Sequence, residues 1–243
     1  MTDAKPIVAV TGANKGIGLA IAQQLAAEGY GIAALVRQSS DALDAVLQQG
    51  DQHARFTMDL ADDHSITEAA RAMLALAGIP AGLVNCAGTA TGGLFTMTSI
   101  SDMRQLFDVN FFGQLALTQY VAKKMMRAKT GSIVNVASTA ALLADPGTLS
   151  YGSSKAALIH ATRVMATELG SYNIRVNAIA PSVVETEMGQ MMDEKSRNRL
   201  DERSALSGVI NPEDIAGLVS FLMSGQSAKI TGQVLRVDRG MPF

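Results

Sequence analysis

Short apolar runs alternate with longer amphipathic stretches along this chain, and that alternation limits its fold more than any other feature. Residues 7–11 (IVAVT), 32–36, 54–57, 83–85, 133–137, 174–178 and 234–237 are brief and mostly aliphatic or β-branched. Runs of this kind predict buried strands. Between them, residues 16–28, 66–76, 103–128, 151–169 and 212–223 carry apolar side chains at helical spacing. In the first of these Ile17, Ala20, Ile21 and Leu25 share a face, and Gly29 follows as a stop. Strand and helix in alternation predict an α/β chain: a doubly wound parallel sheet of about seven strands with helices on both faces.

Composition closes off other classes. The chain has 243 residues, 48% of them hydrophobic, so one domain over 1–243 can bury a sizeable core. Net charge is −2 with no basic run, which gives nucleic acid no electrostatic footprint. Cys86 is the one cysteine, so no intramolecular disulfide can form and a reducing compartment is expected. His53, His64 and His160 show no ligand spacing, and no metal is expected. Residues 1–6 lack the pattern of a signal peptide, and no window is long and apolar enough for a membrane span; the expectation is a cytoplasmic protein.

The sequence TGANKGIG, residues 11–18, lies between the first predicted strand and the first predicted helix. A dinucleotide pyrophosphate needs a tight turn, a backbone without Cβ atoms in the way, and a helix N-terminus with free N–H groups. Gly12, Gly16 and Gly18 can supply these, in the spacing G-x-x-x-G-x-G; a plain glycine turn after a strand is the alternative.

This loop resembles the cofactor loop of the short-chain dehydrogenase/reductase family. Further matches follow in family order: Asp59, the turn Asn85-Cys86-Ala87-Gly88, Asn110, Ser138, Tyr151-Gly-Ser-Ser-Lys155, and Pro181 to Met188. The resemblance covers essentially the whole chain and is strongest to the group of 3-oxoacyl-carrier-protein reductases. It implies a Rossmann-type fold and an NADP(H)-dependent oxidoreductase interconverting a carbonyl and a secondary alcohol, 3-oxoacyl reduction among the reactions. A non-catalytic NADP-binding regulator on the same fold is the rival reading.

The resemblance assigns cofactor contacts to Gly12, Asn14, Lys15, Gly16, Ile17 and Gly18, and cofactor choice to the end of the second strand. There Val36 cannot bind a ribose hydroxyl, while Arg37 can pair with a 2′-phosphate, with Lys15 as a second cation; NADP(H) is therefore expected over NAD(H). Asp59, with Leu60 beside it, is assigned to the adenine; a turn-starting role is the alternative. Asn85, Ala87 and Gly88 are assigned to the cofactor, though Asn85 could instead brace the sheet. Cys86 replaces a common asparagine and reads as a small buried side chain. Pro181, Val184 and Thr186 belong to the segment implied to cover the nicotinamide, where Ser182 replaces a usual glycine. Asp238-Arg239-Gly240 departs from a usual glycine pair, with an effect expected on tail packing alone.

Tyr151 and Lys155 stand four residues apart on a predicted helix and so share a face. Carbonyl reduction needs a proton donor, and a nearby ammonium favours a phenolate, so Lys155 is expected to lower the Tyr151 pKa. Lys155 is also assigned to the nicotinamide ribose. Ser138 closes a predicted strand at its carboxyl end, where parallel sheets bind ligands, and its hydroxyl can donate to a substrate oxygen. Asn110, a polar amide among apolar neighbours, is implied to support a proton relay with Lys155; a structural hydrogen bond to nearby backbone is the alternative. Tyr151 and Lys155 thus serve both chemistry and cofactor.

Residues 186–208 contain no clear strand and read as a substrate lid, or else as a surface helix pair. The segments 91–98 and 183–192 contain no lysine or arginine but supply Leu94, Phe95, Met97, Val183, Val184, Met188, Met191 and Met192. A pocket walled by them suits a neutral, mainly apolar substrate. The long apolar stretches 103–128 and 151–169 suit a homo-oligomer, tetramer or dimer.

Overall fold

The computed structural model describes residues 6–242; the polar start of the chain lies outside the described residues. Seven strands form one sheet in the order β3-β2-β1-β4-β5-β6-β7. They are β1 (Ile7–Thr11), β2 (Gly31–Val36), β3 (Ala54–Thr57), β4 (Gly82–Asn85), β5 (Gly131–Val136), β6 (Ile174–Pro181) and β7 (Val234–Val237). Every pairing is parallel. The order reverses between β1 and β4, which opens a crevice at the carboxyl ends of those two strands. Of the predicted strands, the sixth is extended most, to Pro181, because its register with β7 runs on through Pro181↔Val237.

The helices are α1 (Gly16–Ala27), α2 (Asp41–Leu47), α3 (Asp63–Leu76), α4 (Ile100–Phe107), α5 (Gly113–Ala128), α6 (Leu149–Leu169), α7 (Glu187–Gln190), α8 (Glu194–Glu202) and α9 (Pro212–Met223). On one face of the sheet Ile21 and Leu25 of α1, Leu43 of α2, and Ile215, Val219 and Leu222 of α9 form a core against Val10, Ile32 and Val134. On the other, Ile66 and Met73 of α3 and Leu117, Val121 and Met125 of α5 pack on Leu35, Leu83 and Ile133. Both sheet faces are covered, which is why the strands read as nearly unbroken apolar runs. Each fully buried aliphatic side chain contributes about 1.5–3 kcal/mol. No helix among the described residues is long and apolar enough to cross a membrane.

The predicted helix over 103–128 is corrected. It is two helices joined by a π-helical turn, Asp108–Phe112, in which the N–H of Gly113 bonds to the Asp108 carbonyl five residues back. One extra residue is absorbed there, and the turn carries Asn110. Helix α2 was not anticipated: at seven residues it is too short to show periodicity, and it is started by Ser40, whose hydroxyl accepts from the Leu43 N–H. Residues 186–208 hold the helix pair α7 and α8, and no residue of either is buried.

Candidate active site

The glycine loop is shaped by backbone crowding. Gly12 (φ +69°) and Gly16 (φ +53°) adopt left-handed conformations. A Cβ on Gly12 would come within 2.9 Å of the Ala87 Cα, and one on Gly18 within 2.2 Å of the Gly12 carbonyl oxygen. The loop therefore touches the 85–88 turn directly. Thr11, fully buried, fixes that contact: its Oγ1 accepts from the N–H groups of both Cys86 and Ala87 at 2.9 Å. Gln114 completes it, donating to the Ala87 carbonyl at 2.5 Å. Neither Thr11 nor Gln114 was singled out from sequence; a threonine ending a strand gave no signal that its hydroxyl bridges to a turn 75 residues away. Asn14 presents its carbonyl to the Ser40 hydroxyl, so the loop is also pinned to the cap of α2.

The result is a cradle that fits a dinucleotide. Helix α1 starts at Gly16 with no side-chain cap and no acidic residue in its first turn, so the N–H groups around Ile17 and Gly18 face no competing carboxylate there. Arg37 is exposed at the end of β2 and enters no ion pair among the described residues. Lys15 is differently occupied: its ammonium contacts the Glu187 carboxylate of α7 at 2.6 Å. Asp59 accepts from the Ala61 N–H, the turn-starting alternative, while Leu60 is buried with its carbonyl against Gly113. Asn85 uses its amide N–H groups on Thr118 and Asn135, both at 2.8 Å, which braces β4 against α5 and β5. Ala87 and Gly88 line the turn, and a Cβ on Gly88 would sit 3.1 Å from Asn110 Oδ1 and 3.4 Å from Lys155 Nζ.

Across the crevice stand the chemical groups. Lys155 is buried, donates to the Val136 carbonyl at 2.8 Å, and lies 5.9 Å from the centre of the Tyr151 ring. The predicted i, i+4 spacing thus brings both to one face of α6. Ser138 follows β5, caps the short 3₁₀ turn Thr139–Ala141 through the Ala140 N–H, and is near enough to the Tyr151 phenol to lower its pKa. Its neighbour Thr139 is buried, so the two hydroxyls are told apart. Asn110 is fully buried: its Oδ1 accepts from the Thr89 N–H, and its amide donates to the Thr89 carbonyl and to Ser154 Oγ.

Burial dominates the electrostatics. It lowers the Lys155 ammonium to about 8, with Cys86 pulling the other way. It pushes the Cys86 thiol up to about 12 against the attraction of Lys155, so this half-buried cysteine is a poor nucleophile. The expectation that Lys155 holds Tyr151 below its ordinary value is corrected. Burial raises the phenol, the neighbouring Ser138 hydroxyl only partly offsets that, and Cys86 raises it further. A raised pKa keeps the phenol protonated and able to donate.

The covering side is built by residues after β6. Val184 is buried and bridges to Ile210, and Thr186 caps α7 through the Gly189 N–H while its methyl approaches Gly16. Pro181 is buried, and its carbonyl is 3.5 Å from the Ser138 hydroxyl. Ser182 makes a backbone bond to Val237 without a left-handed turn, so the missing glycine costs nothing there. Arg239 does more than pack the tail. At φ +58° it turns back to pair with Asp201 of α8 and donates to the Leu206 and Gly208 carbonyls.

The family profile described as enoyl-(acyl carrier protein) reductase matches residues 12–242. A 3-oxoacyl-(acyl-carrier-protein) reductase of Aquifex aeolicus is 33% identical over 96% of this chain and 95% of its own. The chain belongs to the short-chain dehydrogenase/reductase family. A (3R)-3-hydroxyacyl-CoA dehydrogenase of Mus musculus is 34% identical, covering 96% of this chain and 94% of its own. A solved short-chain dehydrogenase/reductase family protein superposes with a TM-score of 0.87 at 32% identity, over 99% of this chain and 98% of the other. Like these short-chain dehydrogenases/reductases, the protein is an oxidoreductase that uses a nicotinamide cofactor and interconverts a carbonyl and an alcohol. The regulator reading is set aside, since Ser138, Tyr151 and Lys155 stand together at the end of the sheet.

Proposed function

We propose that the protein reduces 3-oxoacyl or similarly apolar carbonyls with NADPH, through Tyr151, Ser138, Lys155 and Asn110. The carrying observation is the grouping of Ser138, Tyr151 and Lys155 opposite the glycine cradle. The nicotinamide, when bound, supplies the hydride. Ser138 donates a hydrogen bond to the substrate oxygen and orients it. Tyr151 gives that oxygen its proton, and takes it back in the reverse direction. Lys155, held at the Val136 carbonyl, places a cation beside the phenol and favours the phenolate left after transfer. Asn110 keeps the Thr89 backbone and Ser154 in position behind Lys155 for proton resupply.

Gly12, Asn14, Lys15, Gly16, Ile17 and Gly18 would hold the pyrophosphate and adjacent ribose, with Ala87 and Gly88 beside them. Asp59 and Leu60 would flank the adenine, and Pro181, Val184 and Thr186 the nicotinamide. Asn85 would act by bracing the turn. Arg37, in no ion pair among the described residues and next to the apolar Val36, favours a 2′-phosphate over a free hydroxyl. Within one domain spanning the chain, residues 186–208 act as the lid. Its exposed Met188, Met191 and Leu206 face solvent as do Phe95 and Met97, a supply of apolar surface for an acyl chain. Exposed Ile100 of α4, Phe112 of the π-helical turn and Val164 of α6 support assembly through the stretches 103–128 and 151–169, as dimer or tetramer, and the lone cysteine supports a cytoplasmic setting.

The test is a kinetic panel with NADPH and NADH against 3-oxoacyl thioesters, apolar ketones, keto acids and sugar phosphates. The expected result is a higher kcat/KM for the first two classes and NADPH binding at least tenfold tighter than NADH, which corresponds to about 1.4 kcal/mol. A preference for charged substrates would overturn the substrate reading, and equal dissociation constants the cofactor reading. Light scattering giving a monomer mass at micromolar concentration would overturn the assembly.

A further inference from the structure

Two cations stand where a 2′-phosphate is proposed to bind, and they are not equivalent. Arg37 has no ion-pair partner among the described residues, whereas Lys15 is in contact with Glu187. That contact joins positions 172 residues apart, and Glu187 has no other hydrogen bond or ion pair among the described residues. It is also the first residue of α7, whose cap Thr186 sits against Gly16 of the glycine loop. The Thr186 contact with Gly16 brings the start of α7, and so the base of the Glu187 side chain, next to the loop.

We propose that Glu187 is a cofactor-specificity residue, which opposes a 2′-phosphate by competing for the Lys15 ammonium. The inference rests on the NADP(H) reading above and concerns how strongly that preference is expressed. An ammonium has three donors, so Lys15 could in principle contact both anions. A phosphate dianion drawn to the same ammonium would then lie close to the carboxylate, and the like-charge repulsion offsets part of the gain. A cofactor with a free 2′-hydroxyl meets no such conflict. The pair is open to solvent on both sides, 65% and 73% exposed, so the ion pair is weak and the phosphate can break it. Glu187 thus tempers the preference and does not abolish it. Two neighbouring carboxylates are held by other cations: Glu185 pairs with Arg197, and Asp201 with Arg239.

The experiment measures dissociation constants of NADPH and NADH by nucleotide fluorescence for the full chain, Glu187→Gln, Lys15→Met and the double variant. Glu187→Gln should tighten NADPH about threefold and leave NADH within error, the size expected for one exposed ion pair. In the Lys15→Met background the same substitution should change neither nucleotide. The gain should shrink in 1 M NaCl, where exposed charges are screened. An equal shift for both nucleotides, no shift for NADPH, or a gain that survives Lys15→Met would overturn the proposal. The wild-type NADPH/NADH ratio alone judges the cofactor reading, while the change in that ratio on Glu187→Gln judges Glu187, so the two fail separately.

Discussion

The glycine loop and the segment 186–208 meet where the Thr186 methyl approaches Gly16, yet different forces hold them. The loop is wedged by backbone: Gly18 lies against the Gly12 carbonyl, Gly12 against Ala87, and the buried Thr11 hydroxyl ties the turn beyond. The segment has one such wedge, Gly189 against the Val184 carbonyl, and otherwise little of this. Its helices bury no residue, and it is held by Lys15–Glu187, Arg197–Glu185 and Arg239–Asp201, with Arg203–Asp145 at its far end. Close packing tolerates almost no added volume and ignores salt. Surface ion pairs contribute less than about 1 kcal/mol each and yield to competing charge.

Tyr151→Phe should produce the largest effect and leave the contrast intact. Turnover should fall by about 10²–10⁴-fold, the usual worth of a general acid. NADPH binding should stay nearly unchanged because the loop is untouched. Near-normal turnover would remove Tyr151 from the chemistry. Gly18→Ala attacks the wedged side itself. Its Cβ would meet the Gly12 carbonyl at 2.2 Å, so the variant should lose about 1–3 kcal/mol of stability and at least tenfold in cofactor affinity. Gly217→Ala on α9 meets nothing within 4 Å and should be neutral or stabilising by up to about 1 kcal/mol. If the two alanines behave alike in denaturant melts, packing is not what shapes the loop.

The buried Lys155 sharpens the comparison through pH. Its folded pKa, about 8, is below the ordinary 10.5, so above pH 8 the unfolded chain holds more protons than the folded one. Stability should therefore rise by roughly 1 kcal/mol between pH 8 and 9 relative to Lys155→Met. Cys86 and Tyr151 are both shifted upward, so they act with the opposite sign at higher pH, from about the ordinary thiol value onward. A flat difference between wild type and variant across that window would contradict a depressed Lys155.

Smaller effects belong to the segment. Arg239→Gly removes a left-handed non-glycine residue, a relief of about 1–2 kcal/mol, and also the contacts to Asp201, Leu206 and Gly208. Melting temperature should change little, while proteolytic cleavage within 186–208 should quicken about threefold, as for loss of one partly exposed ion pair. Unchanged cleavage would show that Arg239 does not anchor the segment. Smallest of all, 1 M NaCl should speed the same cleavage in the wild type without lowering its melting temperature.

The strands, their number, the glycine loop and the Tyr151–Lys155 pair were legible in the residues, because each depends on local periodicity or on a conformation that glycine alone adopts easily. The family resemblance added Ser138, Asn110 and the cofactor expectations, which no spacing would have shown. Tertiary structure decided the rest. The π-helical turn at 108–112 breaks an apolar pattern that runs on through it, since what it accommodates is Asn110 bonded to Thr89. The Tyr151 phenol is raised because burial outweighs a helpful neighbour, and burial has no counterpart in spacing. Thr11, Gln114, Glu187 and Arg239 gave no sequence signal of the contacts they make; each acts on backbone or charge brought near only when distant parts of the chain pack together. Local sequence determines which elements form, but long-range contacts determine which polar atoms meet, and those meetings are what tune this site.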